Sequence, residues 1–321
     1  MPINTALTSL LDIDHPILLA PMAGVAGGAL AAAVSHAGGL GFVGGGYGER
    51  DWLVRELQAA GNAPIGIGFI TWSLRRTPEL LDLALAHRPK AIFLSFGEID
   101  DLAPKIRQSG TPLIAQVQSV TQARKAVREG ADIIVAQGTE AGGHGASRAT
   151  LPLVPAVADA VGKDVPVLAA GGIADGRGLA AALMLGAAGA VCGSVFYTAT
   201  ESLAHGNSKR AAITASGDDT IRSSVIDVAR DLAWPAPWTI RTVKNAFIAQ
   251  WHHDLDGLRR NAATEQPRYA AARDRGDPEV SPAIVGEAAD LIDGTYGAEE
   301  IVRRIAADAE ARLRAAPQML G

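Results

Sequence analysis

The chain of 321 residues has one cysteine, Cys192, so it can form no intrachain disulfide, and a reducing compartment is its natural setting. Aromatic residues are scarce at 5%. Positive charge never gathers into a stripe: net charge is −5, and Arg75-Arg76 and Arg259-Arg260 are isolated pairs, which argues against a nucleic-acid partner. No apolar run approaches the roughly 20 residues that span a bilayer. The N-terminal stretch MPINTALTSLLDIDHPILLAPMAG lacks a basic region followed by a long apolar core. A soluble cytoplasmic protein without a membrane or nucleic-acid partner is expected. There is also no GxGxxG opening a helix after an early strand and no GxxxxGK[ST], so neither a Rossmann nucleotide site nor a P-loop is supported.

What the chain has is glycine, alanine and a rhythm. Glycines number 36, and hydrophobic residues make up 48%. Apolar runs begin near Ile17, Leu40, Ile65, Ala91, Pro112, Ala131, Val165 and Gly189, each followed by a helix-like segment. The runs are apolar throughout, as in strands covered on both faces. Eight such units predict an α/β fold, a (β/α)8 TIM barrel, with an open doubly wound sheet as the alternative. Ser119 and Gln122 have capping-box spacing with Gly130 as a stop, Val154, Val157, Ala158 and Val161 share a face before Gly162, and Asp175 caps a segment that Gly186 stops.

After the eighth unit the βα period is lost. Trp234, Trp238, Trp251, Pro235 and Pro237 fall in a stretch where Arg241 to Trp251 reads as an amphipathic helix and Gly276-Asp277-Pro278 as a loop. The expected division is a barrel over 1–203, a mainly helical insertion or small second domain over 204–292, and a closing helix over 293–321.

Ligands of such barrels sit at the C-terminal strand ends. Those ends are glycine-rich here. Gly171-Gly172 and Gly193-Ser194 follow the last two strands, where exposed N–H groups make an anion site; the plain alternative is that they serve tight turns. The segment Gln137 to Ser147, QGTEAGGHGAS, places His144 among four glycines after the sixth strand. An imidazole titrates near neutrality, so His144 is the candidate catalytic acid/base. Glu140 is read as a loop-orienting partner, and Ser147 as either a cofactor contact or a helix cap. Cys192 is read as a small core residue. His252-His253-Asp254 has no further spaced ligands, so no metal is expected. Tyr47, Trp72, Trp234 and Trp238 could line an apolar pocket or pack as core.

Four motifs, PILLAPMAG at 16–24, AQGTEAGGHG at 136–145, LAAGGIADGRGLAAALMLGA at 168–187 and GAVCGSVFYTATES at 189–202, carry a resemblance to the nitronate monooxygenase family of FMN-containing barrel enzymes. The resemblance implies oxidation of alkyl nitronates by molecular oxygen to a carbonyl compound and nitrite. It implies flavin contacts at Ala20, Pro21 and Met22, at Gln116 or Gln118, and along Gln137, Gly138 and Ala170. It places phosphate contacts at Gly171, Gly172, Gly193 and Ser194, and the catalytic histidine at His144. The chain departs from the family at Gly68, where many relatives resemble PFGVN with an Asn near the flavin, and at Gln118, where many have Lys. An NAD(P)H-dependent quinone or enoyl-thioester reductase of the same superfamily is the alternative. A flavin-free barrel binding a phosphorylated metabolite is the second. A small-molecule substrate and oxygen are the expected partners, and a homodimer is compatible with the sequence.

Overall fold

The computed structural model describes residues 3–320. The expected outer boundaries at 1 and 321 lie outside them. Eleven strands occur: β1 Ile17–Leu19, β2 Phe42–Gly44, β3 Gly66–Ile70, β4 Ile92–Ser95, β5 Leu113–Val117, β6 Ile133–Gln137, β7 Gly143–Gly145, β8 Val167–Ala170, β9 Gly189–Cys192, β10 Thr220–Ser223 and β11 Thr239–Val243. Eight of them form one parallel sheet in the order β1-β9-β8-β6-β5-β4-β3-β2. Leu40 closes it onto Leu18 across β1, its N–H donating to Ile17 O at 3.1 Å and its carbonyl accepting from Leu19 N at 3.0 Å. The result is a closed barrel, as the eight apolar runs predict.

Alternation along each strand divides its side chains between two cores. Leu18, Phe42, Phe93, Ile114, Ile133, Val135, Leu168 and Val191 fill the barrel interior, and Leu7 and Leu11 of the first helix, Ala6–Leu11, join them. Their neighbours Ile17, Leu19, Ile67, Leu94, Ala115, Ile134 and Ala169 face outward into the layer beneath the helices. Continuing the inward set by two residues brings Ile70, Ser95, Gln116, Gln137 and Ala170 to the C-terminal end of the barrel interior. All five line one cavity there.

The predicted helix punctuation is present, with one change. Ser119 accepts from Gln122 N at 3.2 Å, Gly130 ends that helix at φ +104°, and Asp175 accepts from Gly178 N at 3.1 Å. The reciprocal bond of a capping box is replaced: Gln122 Oε1 accepts from Gln118 N rather than from Ser119 N. The helix Ala298–Ala315 buries Ile301, Val302, Ile305 and Ala309 on one face against the helix Gly176–Met184. The backbones meet so closely that a Cβ at Gly176 would lie 2.3 Å from Ala309 N.

The segment 204–292 carries five helices, Gly206–Thr214, Val225–Ala229, Ala246–Trp251, Leu255–Arg260 and Ala262–Arg275, together with β10 and β11. It has its own apolar cluster, including Ile226, Phe247, Ile248, Trp251, Leu258 and Tyr269. The helix expected from Arg241 to Trp251 begins only at Ala246; Thr239–Val243 is a strand instead. The β-branched residues Thr239, Ile240, Thr242 and Val243 favour the extended form, and strand partners on both sides fix it. Among the described residues no helix is long and apolar enough to cross a membrane.

Phe93 is fully buried in the barrel interior, edge-on to Phe42 with ring centroids 5.5 Å apart. Phe93→Ala is expected to cost about 3–5 kcal/mol of stability. Urea unfolding followed by far-ultraviolet circular dichroism checks this, and an unchanged midpoint would contradict the interior packing described.

Candidate active site

The glycine-rich segment after β6 is held from two directions. From the insertion, β11 pairs antiparallel with β7, setting Ile240 opposite His144 and Thr239 opposite Gly145. The histidine is therefore part of a strand, β7, at the edge of a three-stranded sheet of order β10-β11-β7. Arg222 of β10 donates to the carbonyls of Thr139 at 2.9 Å, Ala141 at 3.0 Å and Gly143 at 3.3 Å. Arg241 of β11 donates to Thr139 O at 2.9 Å and pairs with Glu287 at 2.8 Å. Burial, and then the neighbouring Arg241, pull the Arg222 guanidinium down to about 10. Each arginine thus satisfies loop carbonyls that a sheet or helix would otherwise have paired.

From the barrel, Gln137 Nε2 donates to His144 O at 3.0 Å. Gln137 Oε1 accepts from Gln118 Nε2 at 2.9 Å and Gln116 Nε2 at 3.2 Å. Gln118 Oε1 accepts in turn from Trp238 Nε1 at 3.0 Å. Glu140 orients the loop, as its sequence position suggests: its carboxylate accepts from Thr150 N at 3.0 Å and Thr150 Oγ1 at 2.8 Å.

His144 is 8% exposed and lines the cavity. Its Nε2 lies 2.9 Å from Asp227 Oδ1. The Trp234 ring stacks on the imidazole at 3.4 Å and 9°, and Phe96 meets it edge-on. Burial holds the histidine below its ordinary 6.5, with Asp227 working in the opposite direction and Arg230 and Arg222 adding to the depression. Burial therefore favours the neutral imidazole. Arg230 also lines the cavity, its guanidinium over the Tyr47 ring at 5.2 Å, and it forms no ion pair with a carboxylate among the described residues.

Of the expected cofactor contacts, Ala20, Pro21, Met22, Gln116, Gln137, Ala170, Gly171, Gly172, Gly193 and Ser194 line this cavity with His144. Gln118 and Gly138 do not. The Gln118 amide is committed to Gln137 and Trp238, and Gly138 lies beneath Thr150, whose Oγ1 would be 1.9 Å from a Cβ there. Ser147 fills neither role foreseen for it: it is exposed, and the N-cap of the helix Thr150–Val161 is Ala149. Cys192 is buried in β9, and burial pushes its thiol up to about 12. At Gly68 a Cβ would lie 2.3 Å from Pro21 Cβ, so no side chain fits where relatives carry Asn. His252 Nδ1 lies 3.0 Å from Ser223 Oγ, and among the described residues no group of three His, Cys, Asp or Glu is placed to hold a metal.

The strand-end turns can be tested against a phosphate. Gly171 and Gly172 adopt φ +103° and +74°, a region that favours glycine. Among the described residues, the N–H groups of Gly171, Gly172, Gly193 and Ser194 are spent on no hydrogen bond. A Cβ at Gly193 would meet only Ala20 and Met22, at 3.4 and 3.7 Å. Unspent donors on two adjacent turns suit a phosphate group.

Sequence reasoning missed Arg230, Phe96 and Ser95, which line the cavity, and Asp227, which bonds His144 from outside the lining. Ser95 had a usable signal, two residues after inward-facing Phe93. Asp227 and Arg230 had none, because the insertion offers no period that ties them to the barrel.

The family model for nitronate monooxygenase matches residues 4–73 and 77–308. A nitronate monooxygenase of Neurospora crassa is 32% identical, with 94% of this chain and 90% of that protein covered. The (3aS,4S,5R,7aS)-5-hydroxy-7a-methyl-1-oxo-octahydro-1H-indene-4-carboxyl-CoA dehydrogenase of Rhodococcus jostii is 34% identical over 70% of this chain. That match spans 64% of the dehydrogenase's length. The structure of FabK from Thermotoga maritima superposes with a TM-score of 0.84 at 30% identity, covering 99% of both chains.

Replacing Arg222 by Met keeps the bulk and removes the Arg222 donors to the carbonyls of Ala141 and Gly143, leaving Thr139 O the bond from Arg241. The expected penalty is roughly 1–3 kcal/mol for each carbonyl left dry. Hydrogen exchange should show lost protection over residues 139–145, with the barrel strands unchanged; retained protection there would count against the arginine clasp.

Proposed function

The chain belongs to the nitronate monooxygenase family, and on that footing we propose that it is an FMN-dependent oxidoreductase that oxidises alkyl nitronates with molecular oxygen to a carbonyl compound and nitrite. The observation that carries the reading is a buried histidine and an arginine with no carboxylate partner among the described residues, His144 and Arg230, lining one cavity. A nitronate is an anion with its charge on two oxygens. The planar guanidinium of Arg230 suits such a pair of oxygens.

The strand-end turns would hold the flavin phosphate through the N–H groups of Gly171, Gly172, Gly193 and Ser194. The backbone of Ala20 to Met22 and the amides of Gln116 and Gln137 would border the ring system. When bound, the flavin supplies the redox step, taking electrons from the substrate and passing them on to oxygen.

The remaining work falls to side chains of this protein. Arg230 binds the anionic end of the substrate. Trp234, Phe96 and Tyr47 wall the cavity with rings and exclude water. His144 accepts a proton from the carbon next to the nitro group when the substrate arrives as a neutral nitroalkane. Its position beside Arg230 lets both groups meet one small molecule.

Anaerobic mixing of the flavin-loaded enzyme with an alkyl nitronate is expected to bleach the visible flavin bands, whereas NADH or NADPH alone leaves them unchanged. Bleaching by the nicotinamide and not by the nitronate would overturn the assignment in favour of a reductase. For neutral nitroalkanes, the burial that depresses His144 sets the sign of the pH dependence. The base form is the competent one, so kcat/KM should be level near pH 7 and fall on acidification, with a midpoint below the ordinary 6.5. A rate that rises on acidification would exclude His144 as the base.

A further inference from the structure

His144 uses one ring nitrogen against a residue that lies outside the cavity lining. Asp227 is 3% exposed and sits behind the histidine, on the short helix Val225–Ala229 of the insertion. Its Oδ1 is 2.9 Å from Nε2, and its Oδ2 has no hydrogen-bond partner among the described residues. An ionised carboxylate can only accept, so the hydrogen between the two belongs to Nε2. A neutral imidazole carries one N–H, which leaves the lone pair on Nδ1. Among the described residues Nδ1 makes no hydrogen bond.

We propose that Asp227 is a positioning residue for this site: it fixes His144 as the Nε2–H tautomer, so that Nδ1 is the atom that takes the proton from substrate. The inference rests on reading His144 as the acid/base and says how that residue is set. In the proton transfer, the substrate C–H bond breaks and its electron pair stays on the substrate as the nitronate. The proton forms a bond to Nδ1. The resulting imidazolium still donates from Nε2 to Asp227, whose negative charge offsets the new positive one in a site where water cannot.

The surroundings sharpen the requirement. Arg230 caps the same short helix, Arg222 comes from β10, and the Tyr47 hydroxyl faces the cluster from the barrel side, accepting from Trp234 Nε1 at 3.2 Å. Both arginines disfavour the imidazolium, and Asp227 is the group that favours it. The Trp234 stack covers one ring face.

Long-range 1H–15N NMR of the histidine-labelled flavoenzyme, above the titration of His144, reads the tautomer directly. Nε2 is expected to be protonated and Nδ1 bare. In Asp227→Asn the amide oxygen can still accept from Nε2, but the charge is gone. For a neutral nitroalkane kcat should fall about 100-fold with KM nearly unchanged. The acid limb of the profile should also move to lower pH, because the group that held the proton on has been removed. Asp227→Ala should lose the tautomer preference as well, and Asp227→Glu should recover part of the rate.

A purely structural role would lower the folded fraction and leave the limb in place. An Nδ1–H tautomer in the unaltered protein overturns the inference, as does an Asp227→Asn enzyme with the original kcat and limb. Should His144→Ala keep full turnover with flavin bound, it is the acid/base reading itself that falls, whatever the tautomer.

Discussion

Three residues of main chain hold the site together. Gly143, His144 and Gly145 pair with Arg241, Ile240 and Thr239, and this short ladder is where the segment 204–292 meets the C-terminal end of the barrel. Without it the glycine-rich segment would be a loop with many accessible conformations, at an ordering cost of roughly 1–2 kcal/mol per residue. Strand pairing removes that freedom. It also turns the alternation of a β-strand into a placement device: with glycines on either side, His144 is the only side chain the strand presents. The arginines of β10 and β11 complete the arrangement by satisfying carbonyls that three residues of strand cannot.

The barrel half was legible because its physics is periodic. Eight apolar runs at βα spacing, read with the two-residue alternation of strands, are enough to build the sheet and to bring Gln116, Gln137 and Ala170 to one end. Cap and stop residues such as Ser119, Gly130 and Asp175 act through local backbone chemistry, so they too can be read from sequence. The insertion is different. Arg241 to Val243 reads as helix in the sequence, but pairing with β10 and with the sequence-distant β7 holds it extended. For the same reason Asp227 is silent in the sequence: an aspartate in a five-residue helix acquires its meaning only when His144, 83 positions earlier, arrives 2.9 Å away.

The two departures from the family pattern have distinct physical content. Gly68 is a matter of space, since Pro21 occupies the volume into which a side chain would project. Gln118 is a matter of bonding, since its amide links Gln137 to Trp238 and so ties the barrel's polar layer to the aromatic wall. Neither change removes a donor from the turns at Gly171-Gly172 and Gly193-Ser194. Gly68 and Gln118 both lie outside the cavity lining and act on it only through their neighbours Pro21 and Gln137.

Gln137 and Asp227 grip the same residue from opposite bodies. The glutamine holds the backbone carbonyl of His144 to the barrel, while the aspartate holds its ring to the insertion. The imidazole is thus located by the intersection of two independent references, much as a point is fixed by two bearings. Either body can drift in sequence as long as its own bearing is kept. The helix 225–229 carries Asp227 and is capped by Arg230, so one small element holds both the contact to the histidine and a guanidinium that lines the cavity. A shift of that helix therefore moves the histidine's ring contact and the cavity wall together.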